Sequence, residues 1–269
     1  MATAADLMRS DYVAVEEGDP ISDVLRLMQR GKTEAVITKG GKYVGMFDKR
    51  ALLKSHVDPG EMKVRRSLIA NVPRLSRATG TKEIVRLLYA SDMHVLPVVD
   101  KNEHVEGVVG ARHLLVSMLD DFKGMKVSDL ASRKVTVLQE TDELGKLVNV
   151  LRESRIGRVP IVDVTGRLSG VASVVDLLSK FLLMSERSSK GGSTGRGALG
   201  GRREHVDRNT LPVSNVMTRA VHTVPSSAAL STVIDVMHRN HVSDVIIVEK
   251  DVPVGIVTTK DLLGLVLKG

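Results

Sequence analysis

The 269-residue chain is 42% hydrophobic and 26% charged, the balance of a globular protein. It has no cysteine, which excludes disulfides, thiolate metal sites and cysteine nucleophiles. Its net charge of +7 favours polyanions such as nucleotides, nucleic acid or acidic membrane, although a basic surface also serves solubility alone. Aromatic residues make up only 2%, so Val, Leu, Ile, Met and Ala must build the core. No N-terminal apolar stretch follows basic residues, and no apolar run approaches the roughly 20 residues that span a bilayer. A cytoplasmic location without membrane association is expected.

In chain order, the first predicted helix opens at Asp19-Pro20, and Ile21, Val24, Leu25 and Met28 follow at helical spacing. Val36-Ile37 and Tyr43-Val44 flank Gly40-Gly41 as a hairpin, and a second helix begins within Gly45-Met46-Phe47-Asp48-Lys49-Arg50-Ala51-Leu52-Leu53. Further on, Pro97-Val98-Val99 and Val105 flank Lys101-Asn102-Glu103, and Gly107 to Leu115 repeats the helix-opening phrase. A third passage starts with an extended piece at Val135-Thr136-Val137 and a helix capped by Thr141, with Leu144, Val148 and Leu151 on one face. Its hairpin turns at Thr165-Gly166 and its phrase runs from Gly170 to Leu178. The fourth has Val221-His222-Thr223-Val224, a helix with Leu230, Val233, Ile234 and Met237, a turn at Lys250-Asp251, and Gly255 to Leu263.

The glycines at 45, 107, 170 and 255 are 62, 63 and 85 residues apart, so one β-α-β-β-α unit of about 60 residues recurs four times. The expected repeats cover 1–58, 59–121, 122–184 and 210–269, and a unit this small should pack in pairs. The extra length is a Gly/Ser/Arg-rich linker, 185–209, too polar to offset its ordering entropy. Gly195 to Gly200 matches G-x-G-x-x-G, but no strand precedes it and no helix follows, so chance in a glycine-rich linker explains it.

A Val216-Met217-Thr218 opening, Pro160-Ile161-Val162-Asp163 and Pro97-Val98-Val99-Asp100 strands, and the phrase Gly255 to Leu263 together resemble the cystathionine β-synthase (CBS) domain. The resemblance covers nearly the whole chain outside the linker; the fourth copy is closest and the first most diverged. It implies an α/β (α+β) fold of four CBS repeats packed through their sheets as two pseudo-twofold pairs. It also implies a stand-alone regulatory sensor of AMP, ADP, ATP or S-adenosylmethionine that acts on a protein partner. Homodimerisation is left open.

An adenine nucleotide needs a carboxylate for its ribose diol, hydroxyl, N–H and Arg/Lys donors for phosphate, and an apolar slot for the base. Ser173 with Asp176, and Thr258 with Asp261, supply hydroxyl and acid one turn apart; helix capping is the competing explanation. The first copy has Asp48 and Ala51 at these places and the second Gly110 and His113, so neither offers the pair. Arg133, Lys134 and Val135 should line the base in the third copy, and Ala220, Val221 and His222 in the fourth. Arg155 and Arg158 are candidate phosphate partners, with Ser243 at the corresponding place in the fourth copy and Asp244 there repelling phosphate. The eight histidines show no metal-ligand spacing, so no metal is expected, and no residue grouping makes a case for an enzyme.

The alternative function is an RNA- or ribosome-associated factor with the CBS pairs as scaffold or energy-state gate. Lys63, Arg65, Arg66, Arg74 and Arg77 lie in a stretch without acids, and Arg196, Arg202 and Arg203 enrich the linker. The scarcity of aromatics argues against stacking on unpaired bases and leaves structured rRNA as the candidate partner.

Overall fold

The computed structural model describes residues 2–29, 35–47, 49–53, 62–130, 135–153, 157–180 and 210–268. The linker 185–209, with its G-x-G-x-x-G match, lies outside the described residues.

Each repeat is a small sheet backed by helices. In the first, β1 (Val13–Glu16) runs parallel to β2 (Ala35–Lys39), which pairs antiparallel with β3 (Lys42–Phe47). Helix α2 (Ile21–Gln29) lies between β1 and β2, and α3 (Lys49–Leu53) follows β3. The second repeat has β4 (Leu68–Ile69), α4 (Thr81–Ser91), the hairpin β5 (Val95–Val99) and β6 (Val105–Gly110), and α5 (Ala111–Ser117). A short helix, α1 (Ala4–Leu7), precedes them all. The third has β7 (Leu138–Gln139), α6 (Leu144–Glu153), β8 (Arg158–Val162), β9 (Leu168–Ser173) and a helix over 174–180, α7. The fourth has β10 (Thr223–Pro225), α8 (Leu230–Arg239), β11 (Asp244–Glu249), β12 (Val252–Thr258) and α9 (Thr259–Val266). The register shift in each hairpin falls at the same place, at Ile37/Thr38, Val98/Val99, Ile161/Val162 and Ile247/Val248. Such bulges bend a strand and add twist, so the four sheets curve alike.

Two local expectations shift. The extended piece of the third copy is β7 at Leu138–Gln139, after Val135-Thr136-Val137 rather than on it. Thr141 lies in the turn before α6, where the Asp142 carboxylate accepts the Gln139 N–H at 2.8 Å, so the acid organises the approach to the helix and Thr141 does not cap it.

Paired repeats exchange their leading segments. Residues 2–9 lie on repeat 2, where Ala4 N–H donates to the Thr79 carbonyl at 2.8 Å, and Arg9 and Val108 exchange bonds of 2.9 and 3.0 Å. Residues 62–69 return to repeat 1, where β4 pairs with β3 and makes its sheet four-stranded. The other pair repeats the exchange: Val127 N–H reaches the Ala228 carbonyl at 2.9 Å, and Val213 N–H reaches the Asp142 carbonyl at 2.7 Å. Three of the four recurring glycines permit it. A Cβ on Gly45 would lie 2.4 Å from the Ile69 carbonyl oxygen, one on Gly107 2.9 Å from the Arg9 oxygen, and one on Gly170 3.0 Å from the Thr218 oxygen.

Strand alternation gives the first sheet two buried faces. Val36, Tyr43 and Met46 face the core shared with repeat 2, and Ala35, Ile37 and Phe47 face the helices of their own repeat. The pairs then join through helices. Ile21, Leu25, Leu52 and Leu53 of repeat 1 share a core with Leu144, Leu151 and Leu177 of repeat 3. Ile84, Leu88 and Leu114 of repeat 2 share the other with Leu230, Ile234 and Leu262 of repeat 4. Each fully buried aliphatic side chain contributes about 1.5–3 kcal/mol, so the helix faces that the two pairs cover for one another hold them together. The fold is four β-α-β-β-α units in two pseudo-twofold pairs.

Candidate functional site

The Ser173–Asp176 pair opens α7. Asp176 Oδ2 accepts the Ser173 N–H at 2.9 Å and the Ser173 hydroxyl at 2.5 Å, and Asp176 N–H donates back to Ser173 Oγ at 3.2 Å. Thr258 and Asp261 make the same box at α9, with distances of 2.9, 2.7 and 3.2 Å. Both pairs therefore cap helices, and both are half-buried. Capping occupies one carboxylate oxygen. Among the described residues, Asp176 Oδ1 meets the hydroxyl of Thr218 at 3.4 Å, a group of the other repeat.

That contact follows from the exchange of leading segments. Thr218 and Val171 trade backbone bonds of 2.9 and 2.8 Å, so the stretch that continues into Ala220, Val221 and His222 runs beside the Ser173–Asp176 pair. The segment 220–222, expected to line a base within its own repeat, thus lies beside the Ser–Asp pair of the other repeat. Ala220 and His222 are exposed and Val221 is half-buried. Val135 is half-buried, whereas Arg133, Lys134 and Arg155 lie outside the described residues.

Arg158 and Asp244 open β8 and β11, in register with Ser173 and Thr258, and form an ion pair at 3.2 Å with side chains 28% and 13% exposed. Asp244 thus neutralises the arginine expected to meet phosphate, and any phosphoryl group must compete for it. Ser243 contributes its carbonyl, which accepts the Thr259 N–H at 2.9 Å.

In the second repeat the corresponding residues are Gly110 and His113, and the Arg9 guanidinium contacts the His113 ring. In the first, Asp48 lies outside the described residues, and of Ala51 only the backbone, within α3, is described. A cavity that the sequence did not reveal lies beside the second repeat's leading segment. It measures about 370 Å³ and is walled by Tyr43, Val44 and residues 70–74. Burial pushes the Tyr43 phenol up to about 12, and its hydroxyl has no hydrogen-bond partner among the described residues.

Of the basic residues considered for nucleic acid, Lys63, Arg65 and Arg66 are exposed. Arg74 is ion-paired to Glu103, and Arg77 to Glu106 at 3.1 Å. The fold thus brings acids to a stretch that has none in sequence. Arg196, Arg202 and Arg203 lie outside the described residues. Among the described residues no group of three or more His, Asp or Glu is placed to hold a metal ion, and no helix is long and apolar enough to cross a membrane.

Paired β-α-β-β-α units with a Ser/Thr–Asp box facing the partner's leading segment define a module of the CBS type. The CBS domain family model matches residues 4–58, 66–120, 127–183 and 213–268, and the chain belongs to this family. An uncharacterized protein of Methanocaldococcus jannaschii, MJ1404, is 25% identical over 265 residues, covering 96% of this chain and 60% of that protein. An uncharacterized 33.4 kDa protein in the ribosomal RNA operon of Thermofilum pendens is 24% identical over 191 residues, 71% of this chain and 60% of its own length. The chain therefore spans about 60% of the length of each of these two relatives. The crystal structure of protein MJ1225 from Methanocaldococcus jannaschii superposes with a TM-score of 0.80 at 18% identity, covering 98% of this chain and 99% of that one. A conserved protein of Pyrococcus horikoshii gives a TM-score of 0.61 at 16% identity, with 98% and 99% covered.

Proposed function

We propose that this chain is a regulatory CBS protein that binds an adenine nucleotide, or S-adenosylmethionine, between repeats 3 and 4 and signals its occupancy to a protein partner. One observation carries the reading. Asp176 caps α7 with Oδ2 and turns Oδ1 to Thr218 of the other repeat, so capping does not exhaust its capacity to accept hydrogen bonds. A ribose diol placed there would donate to that oxygen, and the leading segment of repeat 4 would run along the base. Arg158 lies at the start of β8 in register with Ser173, where it would meet phosphate once released from Asp244. Thr258 and Asp261 form the counterpart on the other side of the pair. Two of the five basic residues between 63 and 77 are neutralised by Glu103 and Glu106, which favours this reading over contact with RNA.

Calorimetric titration of the full chain with AMP, ADP, ATP and S-adenosylmethionine tests it. At least one should bind with a Kd in the millimolar range or tighter. Absence of binding heat and of thermal stabilisation from all four at millimolar ligand would refute it.

A further inference from the structure

The first pair repeats the arrangement around Asp176 with basic residues in place of the hydroxyl and the acid. Arg9 occupies the place of Thr218: each trades two backbone bonds with the strand that carries the recurring glycine, Arg9 with Val108 and Thr218 with Val171. His113 occupies the place of Asp176, three residues after the residue that precedes the helix, Gly110 in one case and Ser173 in the other. The side chains also meet in the same way. Thr218 reaches Asp176 across one pair, and the Arg9 guanidinium reaches the His113 ring across the other. A hydroxyl that donates to a carboxylate is replaced by a guanidinium that donates to an imidazole, so the negative charge at the Asp176 place gives way to the positive charge of Arg9.

The surroundings strengthen the reversal. Arg112, next to His113 on α5, donates to the His241 carbonyl of repeat 4 at 2.9 Å. His238 of α8 stands edge-on to His113 with ring centroids 5.0 Å apart, and its Nδ1 is buried with no partner among the described residues. Asp11 is the acid that faces the group, and it is ion-paired with Arg9. Burial and the flanking Arg9, His238 and Arg112 push His113 down to about 4, the mark of a half-buried place with positive potential.

We propose that Arg9, Arg112, His113 and His238, at the junction of repeats 2 and 4, form an oxyanion site for a phosphate-class ligand, either inorganic phosphate or the phosphoryl group of a nucleotide. The site takes an anion where its counterpart at Asp176 would take a neutral diol. It does not require Asp176 or Asp261, so it stands or falls separately from the nucleotide cleft. An anion there favours protonated His113, and binding is linked to proton uptake.

The histidine side-chain resonances of the full chain, followed by NMR between pH 4 and 8, test this with inorganic phosphate and AMP added separately. A shift of the His113 and His238 signals by phosphate alone supports a free-anion site. A shift by AMP alone, retained in Asp176→Ala/Asp261→Ala, supports a phosphoryl site. In either case the His113 midpoint should rise by about one unit, equal to about tenfold tighter binding by the protonated form. Arg9→Gln, with His238 as the reporter and circular dichroism to verify folding, should weaken the response about tenfold. Signals unmoved by both ligands, or an undiminished His238 response in folded Arg9→Gln, would overturn the site.

Discussion

Asp176 and Asp244 would act in opposite directions on the proposed ligand between repeats 3 and 4. Asp176 Oδ2 holds the cap and Oδ1 meets Thr218; if the proposed ribose diol takes Oδ1, Asp176→Ala should weaken nucleotide binding by about 1–3 kcal/mol, measured by calorimetry. Asp244 acts in the opposite direction, since it holds Arg158 at 3.2 Å. Asp244→Asn should therefore tighten AMP relative to adenosine, because the released guanidinium can fork onto phosphate. An unchanged AMP-to-adenosine ratio would show that Arg158 does not meet phosphate. The Ser/Thr-x-x-Asp spacing was legible in the sequence because capping and ligand binding demand the same residue types. The Asp244–Arg158 pair was not, because it joins two strand starts 86 positions apart.

At the scale of elements, the recurring phrase is readable because each part has a local cause. Paired leucines build the inner helix face, and turns such as Gly40-Gly41 take positive φ. The glycine that opens the phrase has a distant cause. At 45, 107 and 170 it leaves room for the leading segment of the other repeat, which no local pattern announces, whereas a Cβ on Gly255 would meet Ile247 of its own repeat. Gly45→Ala would place a Cβ 2.4 Å from a backbone oxygen and 2.5 Å from Leu68 Cδ1. It should destabilise the chain by roughly 1–3 kcal/mol in denaturant unfolding, whereas Gly18→Ala, with no atom within 4 Å, should change stability by less than about 0.5 kcal/mol. Equal effects would mean that the exchange is not tightly packed. The same long-range closure explains why the acid-free basic stretch gains Glu103 and Glu106, and why the leading segment of repeat 4 lies beside the Ser–Asp pair of repeat 3.

For the whole molecule, the two pairs are held together by helices of repeats 1 with 3 and 2 with 4, and the second junction contains His113. Its folded pKa, about 4, lies below its ordinary value of 6.5, so the unfolded chain binds more protons between these limits. This group's contribution to stability is therefore present above pH 6.5 and is lost as pH falls toward 4. The denaturation midpoint should drop between pH 7 and 5, and His113→Gln should flatten that dependence; an unaltered slope would place the titration elsewhere. The central claim is that a carboxylate of one repeat, beside the leading segment of its partner, holds a ribose diol. The most direct measurement compares the affinities of AMP and 2′-deoxy-AMP for the full chain and for Asp176→Ala/Asp261→Ala. The wild-type chain should bind AMP about tenfold more tightly than 2′-deoxy-AMP, and the variant should show no such preference. Equal affinities of the two nucleotides for the wild-type chain would contradict it.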